Sequence, residues 1–144
     1  MWGNRWLALS CGIVVAAGMQ LAHPASAAAS PVTDWGSQAE GPVAEINKAM
    51  SRLYAELDPD NVNGGKALCR QLQASGQTLD SMLPSPSPVL TSEVSWGVNA
   101  LIAGTKRCLS VGTEVNRAEI NSVRRLFDIA MLHLNNAEAL MHGG

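Results

Sequence analysis

The sequence predicts an all-α protein: an up-down-up-down four-helix bundle with one disulfide, preceded by a signal peptide and a flexible leader. Three observations carry that prediction. Apolar residues recur at helical spacing over four separate stretches, and short runs of Pro, Gly, Asp and Asn divide them. Aromatics are only 4% of the chain against 47% hydrophobic residues in total, so the apolar content is mostly aliphatic and alanine, which favours packed helices over a β-sandwich. Finally, 144 residues are enough for one ordinary domain and too few for two. The expected divisions are 1–27 signal peptide, 28–41 leader and 42–144 helical domain.

The signal peptide rests on the order of its parts. "MWGNR" carries one arginine, "WLALSCGIVVAAGMQLA" is apolar, and "HPASAAAS" supplies a break followed by small residues. Ala25 and Ala27 flank Ser26 in a small-x-small arrangement, so cleavage is expected before Ala28. The rival expectation is a retained anchor, but the run from Trp6 to Ala22 is at the short limit for spanning a bilayer. Cys11 leaves with the peptide, and "LALS" before it makes a poor lipobox. The remaining chain then holds two cysteines, and an even pair in an exported protein points to a disulfide.

The leader mixes small residues, prolines and glycines without apolar periodicity, and Trp35 is its one sticky residue, expected to dock on the bundle. The first helix is expected over 42–57, with Pro42 in its first turn and Val43, Ile46, Met50, Leu53 and Leu57 on one face. After "DPDNVNGG" a second helix spans 66–83, with Leu68, Leu72, Leu79 and Met82 inward and Gly76 weakening its middle. "PSPSP" at 84–88 cannot be helical and makes a hard corner.

The third helix, 90–109, has Val94, Val98, Leu101, Thr105 and Cys108 in one stripe and Trp96, Ala100 and Ala103 nearly opposite. A helix apolar on two sides is expected to be central. Gly97 and Gly104 share a face on which a neighbouring backbone can approach. The fourth helix, 116–141, opens with a capping-box pair, Asn116 and Glu119. Ile120, Val123, Phe127, Ala130, Leu134, Ala137 and Met141 then keep a heptad rhythm. Ile129, Leu132 and Leu140 lie off that stripe. This second flank, with Trp35, is a candidate partner surface, to be covered by the leader, by the second helix or by another chain.

An antiparallel hairpin of the middle helices brings the two thiols to similar height. Cys69 is 18 residues before Ser87 and Cys108 is 21 after it, a mismatch of about 4.5 Å along the axis. A Cys69–Cys108 bridge is therefore expected, and Lys106 and Arg107 beside it offset the negative end of the helix dipole.

Several functions are disfavoured. Charge is modest and mixed, with no basic run longer than a pair, so nucleic acid is not an expected partner, and the membrane is met only transiently through the signal peptide. "DPDNVNGG" lacks calcium-loop register: counting from Asp58, the sixth position is Asn63 and the twelfth Cys69. No serine sits in a GxSxG turn, no CxxC is present, and no catalytic residue is assigned. His133 and His142 are nine residues apart, half a turn out of phase, and cannot chelate together. His133 with Tyr54 or Met50 from another helix remains a candidate ligand-binding set, for haem in particular; no metal site is otherwise expected.

The stretches "ALCRQL", "LDSMLPSPSP", "VSWGVNALIAGTKRC" and the heptads of the last helix resemble exported actinobacterial helical proteins with two cysteines. In those a Leu-Pro corner separates the cysteine-bearing helices and a long Ala/Leu helix ends the domain. The resemblance implies correspondence at Cys69, Cys108 and Pro84, and it implies no activity; some relatives are lipid-anchored. The functional expectation is a non-enzymatic extracytoplasmic protein that binds a protein partner or an apolar ligand in the cell envelope, with a haem or metal carrier using His133 as the alternative.

Overall fold

The computed structural model describes residues 30–56, 62–112 and 116–143. Among them are four helices and no strand: α1 (Pro31–Glu56), α2 (Val62–Ser81), α3 (Pro88–Ser110) and α4 (Arg117–His142). The signal peptide, Leu57 and the Asp58–Asn61 half of the acidic turn lie outside the described residues. The helices run up, down, up, down. At one end the indole Nε1 of Trp35, early in α1, donates to the Met82 carbonyl just past α2 (3.0 Å), and Gly36 packs against Met141 near the end of α4. At the other end the Cys69–Cys108 disulfide ties the start of α2 to the end of α3, with Cα atoms 6.4 Å apart.

The expected leader is helical from Pro31 onward, which corrects the boundary placed at 42. Ser30 accepts from the Thr33 backbone N–H (3.2 Å) and Pro31 takes the first helical position, where its missing donor costs nothing. Trp35 and Ala39 then continue the buried stripe of Ile46, Met50 and Leu53 backwards by three turns. Pro42 therefore lies inside the helix, at a cost of about 3 kcal/mol. Burying an indole returns up to about 4–6 kcal/mol on area bookkeeping, so the longer helix wins. Gly41 helps, because without a Cβ it meets less obstruction from the following proline ring.

Helices α3 and α4 start with caps. Ser87 Oγ accepts from the Leu90 N–H, and Asn116 and Glu119 form a reciprocal capping box. Between α2 and α3 the Leu83–Pro84 bond is cis, and Ser85 and Thr91 bond each other across the corner (2.8 Å). The core runs the length of the bundle through Ile46, Leu53, Leu72, Leu79, Leu101 and Phe127, all fully buried. Gly76 belongs to this packing: a Cβ there would come within 3.1 Å of Leu101 Cδ2, so glycine sets the approach of α2 to α3.

Gly97 and Gly104 act as expected on the α3–α4 seam, where an added Cβ would stand 2.8 Å from Leu134 Cγ and 2.7 Å from Phe127 Cε1. Helix α3 packs against both α2 and α4, as a central helix does, but its second apolar side is not covered. Trp96 on its second side is 63% exposed, because α3 is flanked by α2 and α4 and its remaining face is open.

Candidate functional site

Along the outer side of the α3–α4 seam, five large apolar side chains stand in solvent: Val89 and Trp96 from α3, and Ile129, Leu132 and Leu140 from α4. Helical spacing explains the grouping. Residues 89, 93, 96, 100 and 103 fall on one side of α3, while 125, 129, 132, 133, 136 and 140 fall on one side of α4. The expected second flank of α4 is thus present and uncovered by the described chain: neither α1 nor α2 reaches it. Trp35 is removed from that candidate surface, since it is only 8% exposed and its indole is satisfied inside the fold.

A polar cluster sits in the middle of this face. His133 Nδ1 lies 2.8 Å from Glu93 Oε2, Asn136 Nδ2 donates to the same oxygen at 3.3 Å, and the Trp96 ring stacks on the imidazole with centroids 6.1 Å apart. The His133 and Asn136 hydrogen bonds hold the Glu93 carboxyl below the usual carboxylate range. Chemically the cluster is a positioning device. The carboxylate fixes the ring, the ring supports the indole, and the exposed indole is held at a set angle. No nucleophile accompanies it, and among the described residues no group of three His, Cys, Asp or Glu side chains could hold a metal ion.

The ligand set of His133, Tyr54 and Met50 is not assembled. Tyr54 reaches α4 at another point, donating to Asp128 Oδ1 at 2.5 Å, and Met50 is buried in the core at 2% exposure. Burial, reinforced by the Asp128 hydrogen bond and charge and opposed by Arg124, pushes the Tyr54 phenol well above its ordinary value. Tyr54 and Asp128 bridge the α1–α4 seam. Beyond them, toward Met141, that seam holds a groove of about 300 Å³ lined by Gly36, Glu40, Val43, Asn47 and Glu138 among others. Val43, Ala44 and Met141 supply its apolar lining, and Glu40, Asn47 and Glu138 set polar groups around it.

The Glu93–His133 and Tyr54–Asp128 contacts were invisible to sequence reasoning because each depends on the register between two helices distant in sequence. One signal was usable. Setting Gly104 against Phe127 and Gly97 against Leu134 carries Glu93 one turn further, to the height of Glu138, within side-chain reach of Asn136.

Charge is also sorted by the fold. Every described Lys and Arg lies in the half nearer the disulfide, from Lys48 on α1 to Arg125 on α4. The half nearer the proline corner carries Asp34, Glu40, Asp80, Glu93 and Glu138 and, among the described residues, no Lys or Arg. No protein-family model matches the chain, and comparison with curated proteins and with solved structures returns no significant match.

Proposed function

We propose that this chain is a non-enzymatic, extracytoplasmic docking protein whose α3–α4 face engages a protein partner in the cell envelope. The observation that carries the reading is Trp96, more than half exposed and braced by the Glu93–His133 pair. An indole in water is unfavourable, and an indole held rigid loses little entropy when covered, which suits it to anchor an interface. Supporting the compartment are the signal-peptide pattern of residues 1–27 and the Cys69–Cys108 disulfide, which suits an oxidising environment. No described helix is long and apolar enough to cross a membrane.

The test is photo-crosslinking in the cells that make the protein, with a photoreactive residue at position 96 and, as control, at Ser51 on the exposed side of α1. A discrete crosslinked species from position 96 and none from position 51 is expected. No species from position 96 contradicts the reading. N-terminal sequencing of the extracytoplasmic fraction should begin at Ala28.

A further inference from the structure

We infer that the partner seated on this face is a second copy of the chain, packed antiparallel about a two-fold axis near Ile129; this rests on the docking reading above and names its occupant. Shape permits it. The face spans residues 89–107 of α3, roughly 27 Å, and two helix widths, giving a footprint of about 500 Å² per copy. Ala100 and Ala103 lie beside Trp96 on α3, so the surface between the large side chains is low enough for another helix pair to approach.

Charge selects the antiparallel arrangement. A parallel copy would set acidic half on acidic half and basic half on basic half. Reversal sets each acidic half, free of cations among the described residues, against the other copy's disulfide half, where nine described Lys and Arg outnumber Glu45, Glu56, Glu119 and Asp128. On the face itself the complementary groups are Glu93 and Arg125. Arg125 is exposed on the α4 stripe, makes no ion pair with the described residues, and lies about 12 Å along the helix from His133, on the far side of Ile129. A two-fold axis near Ile129 carries Arg125 of one copy to the height of Glu93 and Trp96 of the other, and symmetry repeats the contact. There the guanidinium meets a carboxylate and the face of an indole at once. The same axis sets α4 on α4, so Leu132 of each copy comes to the height of Leu126 of the other. The small footprint makes the association weak and salt-sensitive, with dissociation on the order of micromolar or above.

The experiment is sedimentation equilibrium on the processed chain from about 1 μM to 1 mM, at low and high salt, with circular dichroism to show that each variant is folded. A monomer–dimer equilibrium that weakens with salt is expected. Leu132→Glu should weaken it more than about tenfold, and Arg125→Glu by about fivefold to tenfold. Arg70→Glu, the same charge change on α2 away from the face, should leave it unaltered. A monomer throughout the range, a dimer indifferent to Leu132→Glu, or equal effects of Arg125→Glu and Arg70→Glu overturns the inference. The crosslink at position 96 separates this failure from that of the broader reading. A product of twice the chain's own mass supports the second copy, a product with a different protein rejects it while leaving the docking face standing, and no product sinks both.

Discussion

The two seams that α4 makes with its neighbours are built from different materials. Against α3 it presents Phe127, Ala130 and Leu134, and α3 answers with Gly97 and Gly104, so side chains of one helix sit on the backbone of the other. Against α1 it presents Asp128, Glu138 and a partly buried Arg124 whose Nε has no hydrogen-bond partner, and the seam is held by a tyrosine bond and opens into a groove. Small residues allow a dry, close contact. Polar residues at the same helical spacing keep the helices apart, because their charges need water or partners. The tight seam is also the one whose outer edge carries the exposed Trp96 face.

Removing the staple that anchors α3 is the largest expected perturbation. The Cys69→Ala/Cys108→Ala double variant should lose about 2–5 kcal/mol in denaturant unfolding, since the bridge closes a loop of 39 residues. A loss well under that range would mean that the α3–α4 packing alone fixes the fold. Next comes the glycine contrast. Gly97→Ala forces a Cβ to 2.8 Å from Leu134 and 3.2 Å from the Ala130 carbonyl, and should cost about 1–3 kcal/mol. On the other seam Gly36→Ala meets only the flexible Met141, at 3.3 Å, and should be neutral or stabilising by up to about 1 kcal/mol through helix propensity. Equal costs at the two positions would erase the distinction between the seams.

Two titrations probe the polar contacts. The folded pKa of Glu93 is depressed, so its contribution to stability is present above the ordinary carboxylate value of about 4.3 and is lost as pH falls through the lower, folded value. His133→Ala should raise the Glu93 pKa toward the ordinary range, as read by carboxyl chemical shifts. Tyr54 is the chain's one tyrosine, so phenolate absorbance reports it alone. Its pKa is raised, so the contribution is present below the ordinary phenol value of about 10 and is lost as pH rises through the folded value. Asp128→Asn should bring ionisation to lower pH, and an unshifted titration would contradict the bridge between α1 and α4.

Local signals carried most of the fold. The heptads of α4, the Asn116–Glu119 cap and the proline corner are each contained within a few turns, and they appear as read. The disulfide was legible because the corner between the cysteines sets an antiparallel hairpin of nearly equal arms. Pro42 misled, since the propensity penalty of one proline is smaller than the gain from burying Trp35, and that gain exists only once α2 is in place to receive the indole. The exposure of α3's second side was hidden for a related reason: an apolar stripe has the same spacing whether another helix covers it or water does. Of the site, Ile129, Leu132 and Leu140 were legible as a surplus, and their union with Trp96, Glu93 and His133 required the α3–α4 register.

The most direct test of the proposed docking face is hydroxyl-radical footprinting of Trp35 and Trp96, read residue by residue by mass spectrometry at increasing protein concentration. Trp35 should be protected throughout, whereas Trp96 should be labelled in dilute solution and become protected as the chain is concentrated. Protection of Trp96 equal to that of Trp35 in the dilute monomer would mean that the chain covers the face itself, and would contradict the account.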